Sequence, residues 1–203
     1  MIPKAILLLA VFVLLFTFFI KPSLTVRAEG TTIKTNSASF YIPAENPLRV
    51  YKFDRAPKEI EQIVSRNIGN TDATFGIVIK NLSTGQEYSL NADEQFIGAS
   101  LYKLSVMYTI FRKAAKGEFD INQADIQNNL KSMITVSSNE ASINLVEKYT
   151  SWGEITDDMR NLGLSHTDLT QNPTKTSPKD MAKLLELIAK GEAVNFDASY
   201  AML

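Results

Sequence analysis

Ser100-Leu101-Tyr102-Lys103-Leu104-Ser105-Val106-Met107-Tyr108-Thr109-Ile110-Phe111-Arg112-Lys113-Ala114-Ala115-Lys116-Gly117 is the stretch whose reading decides the fold. Leu101, Leu104, Met107, Tyr108, Ile110 and Phe111 recur at helical spacing, and Gly117 is a suitable stop just past the end. Ser100 and Lys103 stand at i and i+3, so on a helix they share a face and the amine can reach the hydroxyl. A serine at a helix start also meets the positive end of the macrodipole, which favours alkoxide character. Lysine serves as a base only when desolvated or crowded by other cations, because the free amine titrates near ~10.4. Phe96, Ile97, Leu101 and Leu104 make these surroundings apolar enough. The plain alternative is that Ser100 only caps a helix, and S-x-x-K arises by chance in about half of chains of this length.

Working upstream, Thr74-Phe75-Gly76-Ile77-Val78-Ile79 is rich in β-branched residues. The turn-forming Asn81-Leu82-Ser83-Thr84-Gly85 and then Glu87-Tyr88-Ser89-Leu90 follow it, so the region predicts a hairpin. Pro57 opens a helix running to about Asn67, with Ile60, Ile63 and Val64 on one face. Residues 29–55 are polar, carry two prolines and lack a helical period, which predicts an extended arm or linker. Ahead of them Ala5 to Ile20 (AILLLAVFVLLFTFFI) is an uncharged apolar run behind Lys4. At ~1.5 Å per residue it spans roughly 24 Å, short of a hydrocarbon core of about 30 Å. That length suits the hydrophobic region of a signal peptide, with Val26-Arg27-Ala28 as the cleavage site; an uncleaved N-terminal membrane anchor is the alternative. Either way the expected location is outside the cytoplasm: periplasmic, cell-surface or secreted.

Downstream, helical patterns occupy about 123–134, 138–149 and 153–162. A final helix is expected over 178–190, with Ser177 as N-cap, Pro178 at N1, Asp180 in the first turn and Gly191 closing it. The expected organisation is an address or anchor segment at 1–28, a linker at 29–55 and one domain at 56–203. One hairpin and about six helices make an α+β domain. A two-stranded hairpin is marginal alone, so the remaining strands are expected beyond Leu203, in a longer parent chain.

Composition removes several kinds of chemistry. A net charge of −1 with no basic excess argues against nucleic acid as partner. One His and no Cys exclude nearly every zinc or iron–sulfur site, so neither metal nor organic cofactor is expected. A histidine triad would have His166 as its only base, and His166 lies in a polar turn that suggests a surface residue. Hydrolytic chemistry must therefore use Ser or Thr, Lys, Tyr and carboxylates. Trp152 suits a core or loop anchor better than a ligand platform.

A second element is Ser137-Ser138-Asn139. Alone it is weak, because S-x-N recurs at Ser65-Arg66-Asn67, Ser89-Leu90-Asn91 and Ser142-Ile143-Asn144, and Ser137-x-x-Glu140 is also an acceptable capping box. Its context is more specific. The string from Leu130 to Val146 (LKSMITVSSNEASINLV) closely resembles the segment around the second motif of class A β-lactamases. Thr176-Ser177-Pro178-Lys179-Asp180-Met181-Ala182-Lys183-Leu184-Leu185 resembles the stretch that follows their omega loop. The hairpin, S-x-x-K at the head of a long helix and these two strings stand in that family's order, over about residues 57–192.

The resemblance implies a β-lactamase/transpeptidase-like fold, an antiparallel sheet flanked by a helical subdomain, of which this chain holds the first hairpin and the helical part. It implies a nucleophile at Ser100, a base or relay at Lys103, a proton donor to the leaving nitrogen at Ser137 and a substrate amide contact at Asn139. The implied partner is a β-lactam or a cell-wall peptide, and the implied state is a monomer. Three departures accompany it. Ser138 stands where the family usually has Asp. No Glu lies between Glu154 and Glu186, so the omega-loop residue that activates the deacylating water is missing, and Asn172 cannot replace it because an amide is not a base near neutral pH. The family's K-T-G is also missing: Lys175-Thr176-Ser177 precedes Pro178 and a helix, so it reads as a capping segment. Three functions stay open: a β-lactamase, a D,D-peptidase-like or slowly deacylating penicillin-binding hydrolase, and a non-catalytic wall-binding domain.

Overall fold

The computed structural model describes residues 57–69 and 72–203, together with the strand backbone at 31–34 and 39–42. In chain order the elements are β1 (Thr31–Lys34), β2 (Ser39–Ile42), α1 (Pro57–Ile68), β3 (Ile77–Lys80), β4 (Glu87–Leu90), β5 (Phe96–Ile97), a 3-10 turn (Ala99–Leu101), α2 (Tyr102–Ala115), α3 (Ala124–Thr135), α4 (Asn139–Tyr149), α5 (Trp152–Asn161), β6 (Lys175–Thr176), α6 (Pro178–Lys190) and α7 (Phe196–Ala201). The apolar run at 5–20 and the Val26–Ala28 cleavage site lie outside the described residues. Among those described, no helix is long and apolar enough to cross a membrane. Within 29–55, β1 and β2 pair antiparallel, Thr31 opposite Ile42.

Helix α2 is the axis of the domain. Val106 and Ile110 are fully buried, and Met107, Tyr108 and Phe111 nearly so. Its polar residues Ser105 and Thr109 are buried as well, so from Ser105 to Phe111 the helix is enclosed on all sides, as expected for a span apolar around most of its circumference. Around it pack α3, α4, α5 and α7. They contribute Ile126, Met133, Leu145, Ile155 and Met159 to one continuous core, which Leu164 and Leu184 extend. The Ser105 hydroxyl is fully buried with no hydrogen-bond partner among the described residues. Ser105→Ala is therefore expected to raise stability by up to about 1 kcal/mol, read as a higher Tm.

The β3–β4 hairpin forms in the expected place, with Ile77 opposite Leu90 and Lys80 opposite Glu87. Asn81 closes its turn by accepting from the backbone N–H groups of Ser83 (2.9 Å) and Thr84 (3.1 Å) through Oδ1. Gly85 completes it at φ +74°, a region costly for residues with a Cβ. The expected caps of α6 are also present: Ser177 accepts from Asp180 N, and Gly191 ends the helix at φ +77°.

Two expectations are corrected. Lys175-Thr176 is not merely a capping segment. It forms β6, pairing with β5 as Phe96 opposite Thr176 and Ile97 opposite Lys175, while Ser177 alone caps the helix. And α6 is not the last helix, since α7 follows it, capped by Asn195, whose side chain accepts from Ala198 N. Six residues are too few for a helical period to show, and the cap is the only local signal for it.

Candidate active site

The site is built where the starts of α2 and α4 meet. Approaching α2, the chain runs along β5 and is held by Gly98 N–H donating to Thr174 O at 2.8 Å, then turns through Ala99 at φ +43° into the 3-10 turn that carries Ser100. The cap positions are Gly98 and Leu101, neither with a side-chain bond, so Ser100 is not the helix cap. Its hydroxyl points instead at Lys103 Nζ (3.3 Å) and Ser137 Oγ (2.9 Å).

On the facing side, Val136 and Ser138 both donate their backbone N–H to Ser132 O at 3.2 Å, curling the α3–α4 loop tightly. Ser137 sits at the apex with φ +56°, a conformation that costs a residue with a Cβ about 1–2 kcal/mol. The N-cap of α4 is Ser138, whose side chain accepts from Ala141 N at 3.1 Å. This corrects the capping-box reading of Ser137-x-x-Glu140. It also gives Ser138 a structural duty as the helix cap, one that Asp, the residue expected there from the resemblance, would fill equally well. Ser138→Ala is expected to cost about 1 kcal/mol of stability in denaturant melts.

Lys103 joins the two sides. Only 3% exposed, it reaches Ser137 O at 2.5 Å, Asn139 Oδ1 at 2.8 Å, Ser137 Oγ at 2.9 Å and Ser100 Oγ at 3.3 Å. Burial pushes its pKa below the ordinary lysine value. The two carbonyl-type oxygens can only accept, whereas the two hydroxyls can donate or accept. A neutral amine therefore spends its two N–H bonds on Ser137 O and Asn139 Oδ1 and turns its lone pair toward the hydroxyls. Ser100, Ser137 and Asn139 are themselves exposed, so an approaching molecule can reach all three.

All four residues singled out in the sequence thus converge. Two that escaped notice stand beside them. Tyr102 OH is 2.7 Å from Ser142 Oγ, which in turn is 2.7 Å from Asn139 O. The i, i+3 spacing of Asn139 and Ser142 is visible in the sequence, but nothing there pairs Ser142 with Tyr102. Trp152 is an anchor, its ring edge-on to that of Tyr102 at 5.7 Å. His166 shares no hydrogen bond or ion pair with the four site residues and is partly exposed, with Nδ1 3.9 Å from Asp180 Oδ1. Buried Asp180 also accepts from His166 N and Thr167 Oγ1, both at 2.8 Å, and so holds the loop between α5 and β6.

This arrangement of helices is shared with solved structures. A β-lactamase from Sphaerobacter thermophilus is 17% identical at a TM-score of 0.64, covering 71% of this chain and 67% of that one. PBP-A is 20% identical at the same score, with 71% and 66% covered. A PBP-A variant, solved as its acyl-enzyme complex with penicillin G, is 22% identical at 0.61, with 79% and 69% covered. The fold is therefore of the β-lactamase/transpeptidase type, and the chain spans about two thirds of the length of these proteins. No curated protein matches by sequence. The family model described as the β-lactamase enzyme family matches residues 56–124 and 122–203, and the chain belongs to that family.

Proposed function

We propose that the protein is a serine acyl-enzyme hydrolase of the class A β-lactamase type, opening β-lactam amides outside the cytoplasm, where the apolar run at 5–20 would deliver it. The observation that carries the proposal is the buried Lys103 amine, within reach of both Ser100 Oγ and Ser137 Oγ while its remaining contacts are obligate acceptors. In this reading Ser100 attacks the lactam carbonyl, and its proton passes to Lys103, directly or through Ser137 Oγ. Ser137 then hands a proton to the leaving nitrogen as the C–N bond breaks, leaving an ester on Ser100. Asn139 gives its oxygen to Lys103, so its NH2 group remains to hold a carbonyl of the substrate side chain. The backbone N–H of Ser100 supplies half of an oxyanion hole, a contribution worth several kcal/mol in such enzymes.

A second reading is favoured by the loop between α5 and β6. Its one carboxylate, Asp168, accepts from Thr170 N (2.9 Å), Thr170 Oγ1 (2.5 Å) and Gln171 Nε2 (3.0 Å). A carboxylate so engaged is poorly placed to activate water for deacylation. This supports a slowly deacylating, D,D-peptidase-like hydrolase acting on cell-wall peptides, with Lys103 serving both steps.

Intact-mass spectrometry after incubation with benzylpenicillin tests both readings. The wild type is expected to gain one penicilloyl adduct and Ser100→Ala none. An adduct lost within seconds, with catalytic clearance of nitrocefin, indicates the lactamase; one persisting for many minutes at about one equivalent indicates the peptidase. No adduct and no penicillin loss would sink both, and wall-fragment binding indifferent to Ser100→Ala would then support a binding domain.

A further inference from the structure

Tyr102 and Ser142 lie outside every contact made by the Ser100 hydroxyl, yet they bridge the same gap as Lys103. Ser142 is fully buried, and its Oγ donates to the carbonyl of Asn139 at 2.7 Å. Its single proton is committed there, so in the 2.7 Å contact between the two hydroxyls Tyr102 is the donor. The result is a directed chain, Tyr102 O–H to Ser142 O–H to Asn139 C=O, in which each bond polarises the next. It starts on the residue before Lys103 and ends on the residue whose Oδ1 accepts from Lys103 at 2.8 Å.

We propose that Tyr102 and Ser142 are positioning residues, a strut that holds the starts of α2 and α4 at the separation at which Lys103 reaches both Ser137 and Asn139. The inference rests on Lys103 acting as the base for Ser100. During a reaction cycle the amine alternates between three donated bonds and two donated bonds plus a lone pair, so its own contacts cannot hold the gap constant. The strut consists of hydroxyls and a carbonyl, whose bonds are independent of the lysine proton. The Tyr102 ring is fixed separately, edge-on to Trp152 at 5.7 Å, so removing its hydroxyl leaves the ring packing in place. With the strut gone, the gap loosens and water reaches the amine. Hydration favours the charged form, so the Lys103 pKa rises and less of the neutral base is present at a given pH.

Two measurements test this on wild type, Tyr102→Phe, Ser142→Ala and the double variant. The first is the rate of benzylpenicillin adduct formation against pH. Each single variant is expected to slow it about threefold near neutral pH and to move its acid limb to higher pH by about 0.5. The double variant is expected to do no more than either single one, because both cut the same chain. The second is an NMR titration of the Lys103 ε-carbon, its signal identified by comparison with Lys103→Arg; its midpoint should rise in all three variants. A lowered Tm with an unmoved midpoint would reduce the pair to ordinary packing and overturn the proposal, as would additive effects in the double variant. If the wild type forms no adduct, the hydrolase reading fails, and the NMR midpoint still decides whether the strut sets the lysine.

Discussion

Lys103→Ala is expected to slow acylation of Ser100 by about 10³-fold, within the 10²–10⁴ range associated with loss of a positioned base. Among the described residues, Lys103 is the one side chain hydrogen-bonded to Ser100 Oγ that can act as a proton acceptor in its neutral form, since Ser137 Oγ can only pass a proton on. Lys103→Arg should be no better, because a guanidinium keeps its proton and its planar fork does not match the four oxygens around the amine. The wild-type rate should rise with pH through the Lys103 pKa, and burial places that limb below the ordinary lysine range. Linkage carries the same sign. A lysine depressed in the folded state leaves the unfolded chain holding the proton to higher pH, so this group's contribution to stability rises with pH between the lowered value and the ordinary one. Time-resolved intact mass from pH 5 to 10 measures the rate. A loss smaller than about tenfold in Lys103→Ala, in a variant with unchanged circular dichroism, would remove lysine as the base.

The second large effect concerns the joint between α2 and α5. Asp158, 7% exposed, accepts from Thr109 Oγ1 at 2.7 Å and Arg112 Nε at 2.8 Å, while Arg112 also reaches Glu154 at 2.8 Å. Asp158→Ala removes the acceptor for a buried hydroxyl and half the neutralisation of a largely buried guanidinium. The expected loss is about 3–5 kcal/mol, because the cost is that of leaving a buried charge and donor unpaired. In a domain of this size that lowers Tm by on the order of 10 °C. The control is Asp157, one residue away and exposed, paired with Arg160 at 2.9 Å. Asp157→Ala should cost no more than about 0.5 kcal/mol, because solvent screens that pair. Parallel calorimetry of the two variants checks the contrast, and equal effects would mean that burial is not what gives the α2–α5 joint its strength.

Features encoded within one or two helical turns were legible in the sequence. Ser177, Pro178 and Gly191 delimit α6 as observed because caps and stops act on backbone groups three or four residues away. The hairpin is where the Asn81–Gly85 turn predicts it. Ser100 and Lys103 face each other because i and i+3 share a helix face. The segment 130–146 carried the family resemblance, and the family match agrees with it.

What the tertiary structure decided lies between residues far apart in the chain. Lys103 meets Ser137 and Asn139 across 34 and 36 positions, and Tyr102 meets Ser142 across 40. Which of two adjacent serines caps α4 was also undetermined locally. The capping box allowed Ser137, and only the curl around Ser132 O assigns the cap to Ser138 and turns Ser137 toward Lys103. The β5–β6 pair joins segments some eighty residues apart, and two-residue strands carry no alternation to announce it. The division has a physical cause: a helix or a turn satisfies its own backbone, so its signal is written nearby. A buried lysine and a two-residue strand are satisfied only by partners that folding brings to them.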